Sequence, residues 1–174
     1  LQETKVEDAL FPRAEFEQRG LHVALHGQKS YNGVAIVSRT PLTDVVHGFN
    51  GHVFNDHARV ITATVRNIRV TSAYVPHGED FDSPKYAFKE EFYQRLETFA
   101  HQQNILFPRY VLGGDFNVGT DARDVDDEAK RAMSVLYSPA ARAWSAAFRE
   151  RTGLHDAFRL ISQEGGIFSW WDYR

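Results

Sequence analysis

Two strand-like runs, His57 to Val65 and Ile68 to Val75, are separated only by Arg66-Asn67. A connection that short between runs rich in β-branched residues reads as an antiparallel hairpin. The hairpin argues against a purely parallel, doubly wound sheet, whose strands need long crossovers. Helical patterns flank it. Lys85 to His101 carries Phe88, Phe92, Leu96 and Phe99 at helical spacing, and Pro139 to Arg151 ends just before Gly153. Asp8 to Arg19 reads as a loop and a short helix, with Pro12 near its start and Gly20 past its end. Further strands are expected over Leu21 to Leu25, Gly33 to Ser38, the segment from Pro108 to Asp115, and Phe168 to Tyr173. Thr40-Pro41 marks a turn, and Asp121 to Lys130 reads as a solvated acidic loop. Hairpins mixed with helices predict an α/β or α+β fold with layered sheets. No repeat, linker, dinucleotide-binding glycine motif or P-loop interrupts the pattern.

Composition narrows the function. The chain has 174 residues, 43% of them hydrophobic and 25% charged, enough for one domain with a real core. A net charge of −3 does not announce a nucleic-acid partner, although a local basic face fits within that balance. Cysteine is absent, so disulfides and thiolate metal sites are excluded, while oxygen or histidine ligation stays open. No apolar run approaches the length of a membrane span and no signal peptide is visible, so the expected location is cytoplasmic. The chain starts at Leu1 and ends in the aromatic run Phe168-Ser169-Trp170-Trp171-Asp172-Tyr173-Arg174, and both ends read as cut through structured segments. The expectation is a single domain over 1–174, truncated at both ends.

Gly113-Gly114-Asp115-Phe116-Asn117 is the richest short segment. It follows the apolar Tyr110-Val111-Leu112, read as a buried strand, and the two glycines are expected to turn the backbone tightly. A carboxylate and a carboxamide two residues apart in extended chain point the same way, which suits a hard cation and a phosphate. An Asx turn with both side chains on local backbone is the other reading, and the residues alone leave both open. Three more places present polar groups at strand ends. Glu3 is a potential cation ligand, with Lys5 beside it as a phosphate contact, or the two form an ordinary surface ion pair. Tyr74 offers a phenol that donates to a phosphate or, deprotonated, acts as a base, or it is a half-buried strand residue. Trp170 stacks on a base, fills the gap of a missing one, or packs in a core. The loop cations Lys5, Lys29, Arg39, Lys85, Lys89 and Arg123 are scattered, so only the fold could gather them into a patch.

Taken in order, these segments resemble the exonuclease III and abasic-site endonuclease branch of the endonuclease/exonuclease/phosphatase superfamily. The resemblance rests on Leu1-Gln2-Glu3-Thr4-Lys5, Tyr31-Asn32-Gly33-Val34-Ala35-Ile36, Ala73-Tyr74-Val75-Pro76, Gly113 to Asn117, Gly153 to Arg159 and Phe168-Ser169-Trp170. It implies a four-layered α/β sandwich with mixed, largely antiparallel sheets, here lacking the first and last strands. It implies Mg²⁺-dependent cleavage of DNA phosphodiesters, with Mn²⁺ as a substitute, in 3′→5′ exonuclease and abasic-site incision reactions. By the same resemblance Glu3, Asp115 and Asn117 serve the metal site. Asp115 activates or orients water, Asn117 holds the water and the phosphate, and Tyr74 contacts the scissile phosphate. Lys5, Lys29, Asn32, Lys85 and Lys89 become DNA phosphate contacts, with Trp170 at the abasic pocket. The partner implied is double-stranded DNA, at abasic sites and 3′ ends, bound by a full-length monomer in a bacterial cytoplasm. His77 and Ser30 depart from the family pattern, and an Asn-ending first strand and a final Ser-Asp-His block are not in the sequence. The 174 residues are therefore expected to be inactive alone. A superfamily phosphodiesterase acting on RNA or nucleotides, and a non-catalytic DNA-binding remnant, are the competing readings.

Overall fold

The computed structural model describes residues 1–52 and 54–169, the side chain of Asn55 excepted. They divide into two compact units, Leu1–Val75 with Thr98–Phe116, and Pro76–Glu97 with the chain from Asn117 onward.

The first unit holds both sheets. β1 (His22–His26) and β2 (Val34–Ser38) pair antiparallel. β3 (Leu42–His47), β4 (Val60–Val65), β5 (Ile68–Tyr74) and β6 (Tyr110–Asp115) form a second sheet in that order. The hairpin is β4–β5, with Val65 opposite Ile68 and Val60 opposite Ala73, while β6 joins β5 in parallel. Alternation along β1 and β2 buries both faces of their sheet. Ala24, Val34 and Ile36 pack with Ile61 and Ala63 of β4. Val23, Leu25 and Ala35 pack against Phe11 and Phe16, the latter on α1 (Arg13–Glu17). Each fully buried valine or isoleucine here stabilises the fold by roughly 1.5–3 kcal/mol. This layered, mixed α/β architecture is the one expected of the chain.

Strand β3 gives no burial pattern to read in the sequence. Most of its residues are exposed, its register slips between Thr43 and Val46, and it lies at the sheet edge.

Strand β6 corrects two expectations. Its apolar run is not buried, since Val111 is 52% exposed on the terminal strand of the sheet among the described residues. Nor do the glycines turn the chain, because Gly113 and Gly114 continue the strand opposite Ser72 and Ala73. Gly114 is needed for approach: a Cβ there would sit 1.9 Å from the Ala73 carbonyl oxygen. Beyond β6 the backbone turns left-handed at Asn117 (φ 47°), so strand alternation does not reach it.

The second unit is helical. α2 (Pro84–Leu106) starts there and outruns the expected end at His101. α3 (Glu128–Arg131), α4 (Pro139–Thr152) and α5 (Ala157–Ile161) follow. The hydroxyl of Ser138 accepts from the amide of Ala141 at 3.1 Å, Pro139 opens α4, and Gly153 closes it at φ 70°. Tyr86 and Tyr93 of α2 pack on Trp144 of α4, with centroids 5.3 and 6.1 Å apart. The acidic stretch from Asp121 is not a bare solvated loop. Asp121 caps a 3₁₀ turn at Ala122–Asp124, Asp127 caps α3, and Asp124 pairs with Arg159 of α5. No strand forms at Phe168 and Ser169, and the rest of that expected strand, with Trp170, lies outside the described residues.

Candidate active site

The segment Leu1–Lys5 runs beside β2. The Leu1 carbonyl accepts from the Ala35 amide at 2.9 Å, Thr4 donates to the Gly33 carbonyl at 3.2 Å, and Lys5 donates to the Asn32 carbonyl at 2.9 Å. Between these anchors Glu3 and Lys5 both hold φ 54°, a left-handed conformation that costs a residue with a long side chain free energy. Their side chains pair at 2.8 Å and are 41% and 57% exposed, so the pair is reachable by solutes. The Glu3 carboxylate raises the Lys5 ammonium above its ordinary value.

Tyr74 ends β5 and stands beside Asp115, the last residue of β6, in the parallel ladder. The ladder continues one step, the Val75 amide donating to the Asp115 carbonyl at 2.8 Å. Two strands that end together at a tyrosine and an aspartate place both groups on one sheet edge. Burial raises the Tyr74 phenol above its ordinary value, and the charges of Glu3 and Asp115 push it further, against the opposing effect of Arg59. A shift in that direction favours the protonated phenol, a form able to donate a hydrogen bond.

Arg59 completes the cluster and was not foreseen. Its guanidinium lies 4.6 Å from the Tyr74 ring centroid, and its Nη1 donates to the Tyr74 carbonyl at 3.2 Å. Burial lowers its pKa, offset by Tyr74, Glu3 and Asp115, so all four groups share one electrostatic neighbourhood. The hairpin held a signal for it. Counting outward from Arg66-Asn67, the pair beyond Val60 and Ala73 is Arg59 and Tyr74, and the Tyr74 amide does donate to the Arg59 carbonyl at 2.8 Å.

The remaining expected residues fall in different places. Lys29 is exposed on the β1–β2 loop. Asn32 on the same loop is 7% exposed, with its carboxamide nitrogen donating to Gln28 Oε1 at 2.8 Å. Gln28 Oε1 also accepts from the Ala58 amide at 3.0 Å, so the Asn32 side chain shapes the loop from inside. In the second unit Lys85 is exposed and pairs with Glu79 at 3.0 Å. Asn117 belongs to that unit as well. Lys89 corrects an expectation: it has no exposed surface, and its Nζ donates to the carbonyls of His77, Asn117 and Val135 at 3.0, 2.8 and 2.9 Å. An amine buried on three carbonyls cannot reach a DNA phosphate.

Glu3 and Asp115 are carboxylates, Glu3 exposed and Asp115 half-buried, which suits the oxygen chemistry of a hard divalent cation. Among the described residues no three of His, Cys, Asp and Glu converge as a metal-ligand set.

The sequence matches the model of the endonuclease/exonuclease/phosphatase family over residues 1–174. It is 31% identical to exodeoxyribonuclease III of Haemophilus influenzae over 186 aligned positions, covering 100% of this chain and 69% of the relative. It is 25% identical to an exodeoxyribonuclease of Bacillus subtilis, covering 68% of that protein. Among solved structures, a Neisseria 3′ phosphatase bound to a product DNA hairpin superposes with a TM-score of 0.95 at 37% identity, covering 100% of this chain and 67% of that one. An AP endonuclease from Archaeoglobus fulgidus superposes at 0.92 with 36% identity, covering 99% of this chain and 66% of the other.

Proposed function

The chain belongs to the endonuclease/exonuclease/phosphatase family and is an exonuclease III-like nuclease, and on that premise we propose that it carries catalytic groups for metal-dependent hydrolysis of DNA phosphodiesters in repair. The observation that carries this reading is the convergence of Glu3, Tyr74 and Asp115 around Arg59 at the end of β5 and β6. Glu3 and Asp115 would hold a divalent cation, Mg²⁺ or in its place Mn²⁺, which would supply charge neutralisation at the phosphate and at the departing oxygen. Asp115 orients water for in-line attack and takes up its proton. Tyr74 donates its phenolic proton to a non-bridging phosphate oxygen, and Arg59 holds the ring in place. Asn117 is the residue proposed to hold the phosphate. Lys5 and Lys29 draw in the backbone of duplex DNA without reading its sequence.

The substrates we infer are 3′ ends and abasic sites in double-stranded DNA, acted on by a monomer at the bacterial chromosome. No helix among the described residues is long and apolar enough to cross a membrane. The Neisseria relative is described as a 3′ phosphatase, which adds removal of 3′-terminal phosphate to the reactions worth testing. The complete protein containing this chain should be offered end-labelled blunt duplex, abasic duplex, 3′-phosphorylated duplex and RNA, with chelator and then with Mg²⁺ or Mn²⁺. Metal-restored cleavage of the DNA substrates is expected. Cleavage of RNA alone, or none of any substrate, would overturn the reading.

A further inference from the structure

Lys89 is the one cation of the second unit that the structure encloses completely among the described residues, and all three of its ammonium hydrogens meet backbone carbonyls. A lysine is seldom buried, because removing the ammonium from water is costly unless every proton is received. The three carbonyls are far apart in sequence. His77 lies just past β5, Asn117 just past β6, and Val135 in the run leading to α4. The surroundings are shaped for the stem: Gly78 holds φ 98°, and a Cβ there would stand 3.1 Å from Lys89 Cδ. Asn117 meanwhile keeps a left-handed φ of 47°. A charged donor at 2.8 Å on its carbonyl fixes the peptide plane that follows that turn.

We propose that Lys89 is a positioning residue for Asn117, its buried ammonium fixing the backbone from which the Asn117 carboxamide meets the phosphate. This rests on the reading of Asn117 as a phosphate-holding residue. The effect is transmitted through one carbonyl, so it disappears when the Asn117 side chain is removed.

The test is a double-mutant cycle in the complete protein, with Lys89→Met, Asn117→Ala and the pair, read as kcat and KM on 3′-labelled duplex. Lys89→Met keeps the apolar stem and removes the ammonium. We expect kcat to fall at least tenfold with KM changed less than threefold, and less than twofold further loss when Lys89→Met is added to Asn117→Ala. Equal loss in both backgrounds, or an unchanged kcat in folded Lys89→Met, would overturn the proposal. Should Lys89→Met not fold, Lys89→Gln, with two donors and no charge, takes its place in the cycle. If neither variant folds, the lysine is purely structural and the proposal fails. An inactive parent protein would instead sink the nuclease reading.

Discussion

Arg59 faces Tyr74 across the β4–β5 hairpin, its guanidinium 4.6 Å from the ring centroid and its Nη1 3.2 Å from the Tyr74 carbonyl. The arginine touches both the ring that carries the phenol and the backbone that places it. Arg59→Ala is expected to cost about 1–2 kcal/mol in urea unfolding, from the cation–π contact with Tyr74 and the charged hydrogen bonds to the Tyr74 carbonyl and His57 Nδ1. Arg59 is also the positive charge that opposes the upward push on the Tyr74 phenol. Its loss should move that phenol higher still, measured as tyrosinate absorbance relative to Tyr74→Phe. A Tyr74 titration that moves down in Arg59→Ala would contradict the arrangement.

The two carboxylates should separate in a kinetic comparison. Asp115→Asn keeps an oxygen but loses the proposed proton acceptor, and kcat should drop roughly 10²–10⁴-fold at any metal concentration. Glu3→Gln removes a proposed charged ligand, so its loss should shrink as Mg²⁺ is raised. Metal titrations of both variants in the complete protein decide between the roles. Equal rescue of both by metal would mean that Asp115 acts only as a ligand.

Gly114→Ala tests the close approach of β6 to β5. A Cβ 1.9 Å from the Ala73 carbonyl cannot be absorbed by rotating a side chain, because the obstacle is backbone. The strands must part, and the expected cost is upwards of ~3 kcal/mol, seen as a lowered melting temperature or loss of soluble protein. Gly113→Ala is the control, since a Cβ there meets nothing within 4 Å. A Gly114→Ala protein as stable as that control would show that β6 tolerates a side chain at this point.

Tyr110 predicts an alkaline limb in stability. Burial pushes its phenol up to about 12, while its hydroxyl donates to Thr71 Oγ1 at 3.1 Å. A folded pKa above the unfolded value of about 10 gives stability that is complete below pH 10 and lost as pH rises toward 12. The loss is on the order of 2–3 kcal/mol at one pKa unit per 1.4 kcal/mol. Tyr110→Phe should cost about 1 kcal/mol at neutral pH and flatten the decline above pH 10, checked by urea unfolding across that range. An unchanged slope in Tyr110→Phe would assign the decline to other groups.

The hairpin, the two long helices and the α/β class were legible in the chain because local signals set them: a two-residue turn, β-branched runs, phenylalanines at helical spacing, a proline and a glycine at helix ends. Those signals depend on neighbours in sequence and survive without the fold. Strand β3 was not legible, because an exposed, bulged edge strand has no burial pattern. Glu3, Tyr74 and Asp115 were visible as polar groups at strand ends. Their meeting depends on the pairing of β5 with β6 and on the seating of Leu1–Lys5 beside β2, contacts between residues far apart in the chain. Lys89 makes the same point from the other side. As a residue type it reads as a surface cation, and only three carbonyls from separate segments make it an interior one. Residue types and spacings established which groups were available for chemistry. Long-range pairing and burial settled which were brought together, which were spent on structure, and that Arg59 stood among them.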